Sequence, residues 1–264
     1  MNTNKKSFIA IIPARAASKE IKNKNMILFG GHPLVSYSIE AAKKSKFIKE
    51  VFVSTDGKKI AKASEKYGAK IIFRPKNMSQ DNSKIEDAVL YTIKYLEKNY
   101  GKKIDNIVLM QPTSPQRKIY DVDNAIKQFI KSKADSLFSC NNIFPCLWKI
   151  RNSKIIPENF NPRKRKNRQD RSQEYIENGS IYVTKKEIYE INKSRLGGKI
   201  SPYIMDISAL AELDTKKDLK YLSLILKPEI RKKFKFVTPK RIKWKIKSDS
   251  CKADFHPCRE RKYN

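Results

Sequence analysis

Short runs of aliphatic and β-branched residues alternate along this chain with longer stretches in which apolar positions recur every three to four residues. Phe8-Ile9-Ala10-Ile11-Ile12 is apolar throughout and too short for a core helix, so it reads as a buried parallel strand. A polar loop follows to about Gly31, and a helix opens near Pro33 and runs through Ala42. Val51 to Asp56 is the next strand, ending in an Asp-Gly turn. Ile60 to Tyr67 is a helix closed by Gly68, and Ala69 to Phe73 is a short strand. Ile85 to Asn99 carries apolar residues at helical spacing, and Ile104 to Met110 is again a strand. A helix over Asp121 to Ser132, a strand over Asp135 to Cys140, a strand over Ser180 to Val183 and a closing helix over Lys216 to Leu226 continue the pattern.

Strands alternating with helices predict a parallel sheet covered on both faces, an α/β fold. Residues 1–227 form the expected main domain. The polar region of about 141–178, with Arg163-Lys164-Arg165-Lys166, interrupts the alternation as an inserted lobe. Residues 228–264 form a basic tail, in which Lys240 to Lys247 alternates basic and apolar residues. The tail is expected either to pack on the domain or to lack order.

Composition changes this picture little. The formal charge of +31 is spread over nearly every helix face, which describes a lysine-rich solvated surface better than a nucleic-acid footprint. Such a surface also suits anionic substrates. Cys140, Cys146, Cys251 and Cys258 form no C-x-x-C pair, and Cys251, His256 and Cys258 lack a fourth metal ligand. No stretch reads as a signal peptide or a membrane span, so a reducing cytoplasm is expected.

The chemistry should lie in loops beyond the carboxyl ends of the strands. After the first strand come Arg15, Lys19, Lys22 and Lys24, with the small residues Ala16, Ala17 and Ser18 among them. Small residues let backbone N–H groups approach an anion while the cations neutralise it. Neither a P-loop nor a G-x-G-x-x-G is present, so phosphate binding must use another design.

Ile12-Pro13-Ala14-Arg15-Ala16-Ala17-Ser18-Lys19, then Lys24-Asn25 and Pro33-Leu34, resembles the opening motif of the acylneuraminate cytidylyltransferases, the CMP-sialic acid synthetase family. Further stretches agree in order: Ser54-Thr55-Asp56, Arg74-Pro75 with Asp81, Gln111 to Pro115 with Arg117, Arg168-Gln169, Asn178 to Tyr182, and Leu213-Asp214-Thr215 with Asp218-Leu219. The likeness spans about residues 7–226. It implies a Rossmann-like nucleotidyltransferase with a mostly parallel central sheet and a small inserted dimerisation lobe, usually a homodimer in which the lobe reaches the partner's site. The implied reaction joins CTP to a nine-carbon sugar acid, giving the CMP-sugar and pyrophosphate.

Within that resemblance, Arg15, Lys19 and Lys24 would hold the triphosphate, Ala14 and Ser18 would line it, and Asn25, Arg74 and Ser83 would read the cytosine edge. Gln111, Thr113, Ser114, Arg168 and Asn178 would serve the sugar or nucleotide. Mg²⁺ needs one or two carboxylates, and Glu212 and Asp214 share a side of an extended segment. The family pattern there is Asp-x-Asp, so Glu212 is a departure and Asp214 is the firmer ligand and catalytic candidate; Asp214 has a second reading as the cap of the helix that follows. A second departure is Ile176, where the family often has a basic residue two positions before Asn-Gly. That departure opens the choice among N-acetylneuraminate, legionaminate and pseudaminate types. Ala16-Ala17 replaces two glycines frequent in the family. No histidine falls where a base is wanted, His32 being in a turn and His256 in the tail. Two other readings stand beside this one: a nucleotidyltransferase for the eight-carbon acid Kdo, against which Lys24-Asn25 argues, and a polyanion-binding protein without enzymatic activity.

Overall fold

The computed structural model describes residues 7–240 apart from Lys19, Asp81, Asn82, Leu226 and Phe234. The chain enters on β1 (Phe8–Pro13), and a long loop with the two-residue strands β2 (Leu28–Phe29) and β3 (His32–Pro33) leads to α1 (Leu34–Lys43). Then come β4 (Ile48–Thr55), α2 (Lys58–Lys66), β5 (Lys70–Phe73), α3 (Ile85–Tyr100), β6 (Asn106–Met110) and α4 (Asp121–Ser132). The second half holds β7 (Ser136–Ile143), the hairpin β8 (Trp148–Arg151) and β9 (Lys154–Pro157), β10 (Glu174–Lys185), α5 (Lys186–Asn192), β11 (Ile200–Ile204), α6 (Lys216–Ile225) and α7 (Pro228–Lys233).

Seven strands form one sheet in the order β11-β7-β10-β6-β1-β4-β5. β6, β1, β4 and β5 run parallel, whereas β10 is antiparallel to both of its neighbours. Alternation along β1 explains the two-sided core. Phe8, Ala10 and Ile12 face one layer with Val35, Ile39 and Phe129, and Ile9 and Ile11 face the other with Val89, Ile93 and Leu96. Every residue of the expected strand is needed, because both faces are covered.

The structure extends the sequence reading in three places. β7 runs on to Ile143 and β10 begins at Glu174, with Ile143 paired to Glu174 and Asn141 to Ile176. Sheet strands therefore occupy both ends of the polar 141–178 region, and its non-sheet part is residues 144–173 with the β8–β9 hairpin. The edge strand β11 and the short helix α5 are additions that the sequence pattern does not predict. Past Pro228, α7 turns back and the following residues pack on the domain. Phe236 and Val237 are buried, and the Val237 N–H donates to the Arg117 carbonyl at 2.9 Å. The remainder of the expected tail, residues 241–264 with Cys251, His256 and Cys258, lies outside the described residues.

β4 and β5 build outward on one side of β1, and the chain then crosses back to place β6 on the other side. This reversal opens a crevice beyond the carboxyl ends of β1 and β6. A third apolar cluster of Ile21, Phe29, Leu34, Tyr37, Leu213 and Leu222 packs the loop after β1 against the 211–222 segment. Burial of these side chains closes the crevice on one side.

Candidate active site

Ala14 and Arg15 leave β1 while still tied to β4, since the Ala14 N–H donates to the Ser54 carbonyl at 2.9 Å. The Ala16 N–H donates to Asp56 Oδ1 at 2.8 Å, so a strand-end carboxylate fixes the turn. Asn25, buried, donates from Nδ2 to the Arg15 carbonyl at 2.9 Å. The two ends of the loop are thereby pinned together, and the amide expected to read a base serves at least this backbone role. Ser18 is half-buried on the same loop, Lys22 is exposed, and Lys19 lies outside the described residues.

Arg15 Nη1 donates to the Gln80 carbonyl at 3.0 Å, which joins this loop to the one after β5. Arg74 is buried at the start of that second loop and its Nε donates to Ser79 Oγ at 2.8 Å. Burial lowers the Arg74 pKa, Asp56 opposes this, and the neighbouring charge of Arg15 adds to it. Two cations are thus held near each other around one carboxylate, an arrangement that favours an incoming anion. Ser83 shapes the loop, its Oγ accepting from the Gln80 N–H at 3.0 Å.

The opposite wall comes from the loops after β6 and before α6. The Leu213 N–H donates to the Thr113 carbonyl at 2.9 Å, setting Thr113 beside the segment that carries Glu212 and Asp214. The Thr113 hydroxyl is buried without a hydrogen-bond partner among the described residues, and such a group is costly unless something fills its valence. Lys24 Nζ reaches across to Asp214 Oδ1 at 2.9 Å. Asp214 is not the helix cap: Thr215 and Asp218 cap α6, Asp218 Oδ2 accepting from the N–H groups of Asp214 and Thr215 at 3.1 and 2.6 Å. Its carboxylate is therefore left for Lys24 and for ligands.

Burial and the charge of Asp214 push the Glu212 carboxyl up to about 7. The Glu212 carboxylate packs against Gly179 on β10, where φ is +63° and an added Cβ would meet the carboxylate. A carboxylate pair that opposes its own ionisation is relieved by a cation, and Mg²⁺ asks for no more protein ligands than these two. The donor set fits that ion. Among the described residues no cluster of three or more His, Cys, Asp or Glu offers an alternative metal site.

Two expected substrate residues are placed otherwise. The Asn178 side chain is buried and spent inside the protein: Oδ1 accepts from Ser139 Oγ at 2.6 Å, and Nδ2 donates to Asn141 Oδ1 at 2.9 Å. Only its carbonyl is shared with the loop after β6, through Ser114 Oγ at 3.3 Å. Arg168 is exposed on the lobe, with its guanidinium carbon 5.3 Å from the centroid of the Phe144 ring. Asp56, Gln80 and Arg117 have no role assigned from the sequence. The signal for the first is a strand-end acid directly before glycine.

A cavity of about 690 Å³ lies elsewhere, at the amino ends of the strands beside Asp105, Lys185 and Lys186. Its Lys185 and Lys186 are already paired with Asp135 and Glu97. The crevice at the carboxyl ends is where cations and carboxylates meet.

A family model described as Cytidylyltransferase matches residues 9–229. The chain belongs to the cytidylyltransferase family. Among the relatives of this cytidylyltransferase, the N-acylneuraminate cytidylyltransferase A of Danio rerio is 35% identical over 213 residues, which cover 79% of this chain and 48% of that protein. The pseudaminic acid cytidylyltransferase of Campylobacter jejuni is 30% identical over 227 residues, covering 83% of this chain and 96% of that protein. The chain thus spans about half the length of the fish relative and nearly all of the bacterial one. The solved structure of a CMP:2-keto-3-deoxy-manno-octonic acid synthetase complexed with CTP shares the fold, with a TM-score of 0.63 at 17% identity, covering 83% of this chain and 98% of that one. No described helix is long and apolar enough to cross a membrane.

Proposed function

We propose that this cytidylyltransferase joins CTP to a nonulosonic acid, of N-acetylneuraminate, legionaminate or pseudaminate type, to give the CMP-sugar and pyrophosphate. The Lys24–Asp214 ion pair carries the reading: it spans from the cation loop after β1 to the carboxylate pair before α6, so groups suited to a triphosphate and to its counter-ion share one crevice. The relatives named for N-acylneuraminate and pseudaminic acid supply the substrate class.

In this mechanism Arg15, Lys24 and Lys19 neutralise the triphosphate, with Ala14 and Ser18 lining it and Arg74, Asn25 and Ser83 toward the base. Phosphoryl transfer is catalysed chiefly by positioning and charge neutralisation, so these groups favour departure of pyrophosphate as the sugar hydroxyl attacks the α-phosphorus. Glu212 and Asp214 would hold Mg²⁺, which when bound neutralises phosphate charge and polarises the reacting oxygens. Gln111 and Thr113, in the loop just past β6, would serve the sugar hydroxyls. His32 is no base for this reaction, being buried with Nδ1 2.9 Å from the Tyr67 hydroxyl.

Ile176, 40% exposed on β10 two residues before Asn178, supplies no charge for the sugar and favours a substrate whose recognition there is apolar. The lobe supports a homodimer: Leu147, Trp148, Ile150 and Ile155 are exposed, Ile150 at 72% and Ile155 at 67%, on a hairpin that projects from the sheet. Arg168 on the same lobe would then serve the partner's crevice. The cytoplasm is the proposed location, in keeping with the free thiols of Cys140 and Cys146.

The deciding assay measures pyrophosphate released from CTP with Mg²⁺ and, in turn, N-acetylneuraminate, legionaminate, pseudaminate and Kdo. Release is expected with at least one nine-carbon acid and not with other nucleoside triphosphates. Release with none of the nine-carbon acids refutes the proposal, and release with Kdo alone moves the enzyme to the eight-carbon class.

A further inference from the structure

Arg117 is 1% exposed, follows the Gln111 to Pro115 turn, and makes no hydrogen bond to a carboxylate among the described residues. Its guanidinium is instead wrapped by oxygens from three elements. Nη2 donates to the Gln111 carbonyl at 2.6 Å, Nε and Nη2 donate to the Ser180 carbonyl at 3.2 and 2.6 Å, and Nη1 donates to Ser38 Oγ on α1 at 2.9 Å. Ser38 Oγ in turn donates to the Gln111 carbonyl at 3.1 Å. The Arg117 carbonyl receives the Val237 N–H at 2.9 Å. Burial lowers the Arg117 pKa to about 9, with the charges of Asp121 and Glu212 acting in the opposite direction.

A buried cation without a bonded counter-ion is expensive, and the planar guanidinium fork can satisfy two backbone carbonyls at once, one in the loop after β6 and one in β10. The two carbonyls are informative. Gln111 is the first residue past β6 and carries the side chain offered to the sugar, while Ser180 follows Gly179, the residue against which Glu212 packs. The cation loop that would hold the triphosphate has its own ties, through Asp56, Asn25 and Gln80, none of which involves Arg117.

We infer that Arg117 is a positioning residue for the sugar-acid half of the crevice, fixing Gln111 and the Gly179–Ser180 segment of β10 in one geometry, while the cation loop after β1 is tied separately. The inference rests on the nonulosonate reading above. Arg117→Lys keeps the charge and loses the fork, and Ser38→Ala removes one oxygen of the cage while leaving Arg117 in place.

The test is steady-state pyrophosphate release by the full chain, varying CTP and sugar acid separately, together with calorimetric titration of CTP and melting curves. Arg117→Lys is expected to lower kcat/KM for the sugar acid by about tenfold or more, because a small displacement of a positioning group is enough to cost this much. KM and Kd for CTP should stay within about twofold, as that half is tied separately. Ser38→Ala should show the same split at smaller size, and it decides the matter if Arg117→Lys fails to fold. Parallel losses for both substrates, or a lower melting temperature with unchanged sugar parameters, overturn the inference and leave Arg117 a purely structural residue. An inactive wild-type chain would instead refute the nonulosonate reading.

Discussion

Ala16 and Gly57 face each other so closely that a Cβ added at residue 57 would stand 2.9 Å from the Ala16 Cβ. The loop after β1 and the turn after β4 therefore fit together because one of the two residues has no side chain. Gly57 has φ −104°, an ordinary value for any residue, so a substitution there acts through space and not through backbone strain. Gly57→Ala should push Ala16 away and loosen its hydrogen bond to Asp56. The expected result is a rise of about tenfold in KM for CTP with about 1–2 kcal/mol lost from stability, an ordinary overpacking cost. Kinetics and melting curves of the one variant check both. An unchanged KM would mean that the nucleotide loop does not depend on this contact.

Lys24→Ala separates catalysis from stability in the opposite sense. The Asp214 side chain is 60% exposed, so the ion pair at 2.9 Å contributes little to folding, about 0–1 kcal/mol. If Lys24 exchanges Asp214 for phosphate when CTP binds, its removal should lower kcat/KM for CTP by about 100-fold, the scale of one lost charge-stabilising donor. Melting curves should barely move. Lys24→Arg should restore part of the activity, since the charge returns with altered geometry.

Asn178→Ala should behave as a core substitution. Its amide joins Ser139, Asn141 and the Ser180 N–H in a buried network, and truncation would leave several of these groups without partners. A loss of about 2–4 kcal/mol is expected, seen as a lower denaturant midpoint. Asn178→Asp should also destabilise, because it replaces the donor toward Asn141 Oδ1 with an acceptor.

That network also shows what sequence could and could not convey. β1, β4 and β6 were legible because burial on both faces demands unbroken apolar runs, and the helices because one face repeats every three to four residues. The paired ends of β7 and β10 were not legible. Ser139, Asn141 and Asn178 are polar yet buried, and they satisfy one another across 37 to 39 residues of chain, a match that no local pattern records. α5 has only seven residues, too few for a repeat to stand out, and β11 is an edge strand with Ile200 and Ile204 half exposed. In the crevice, Arg15 and Lys24 were singled out by charge and loop position, and Asp214 by its spacing from Glu212 and the family resemblance. Arg117 was not, because its part depends on two backbone carbonyls that the sequence does not identify. Asn178 was misleading for the related reason that a polar residue in a motif gives no sign of facing inward.

Glu212 gives a pH dependence whose sign follows from its surroundings. Its carboxyl is raised from 4.5 to about 7 in the folded chain by burial and by the charge of Asp214. The folded state therefore holds a proton that the unfolded state has released between pH 4.5 and 7. Stability of the metal-free, nucleotide-free chain from this group is highest below 4.5, falls through that window, and stays reduced above 7. Glu212→Gln removes the effect. Relative to wild type, the variant should gain on the order of 1 kcal/mol at about pH 8, after allowance for solvent screening of a half-buried group, and nothing at about pH 4. Adding Mg²⁺ with CTP should reverse the order at about pH 8: the ionised Glu212 then has a cation to face, so ligand raises the melting temperature of wild type more than that of the variant. Equal gains in both proteins would remove Glu212 from the metal site and leave Asp214 as its carboxylate.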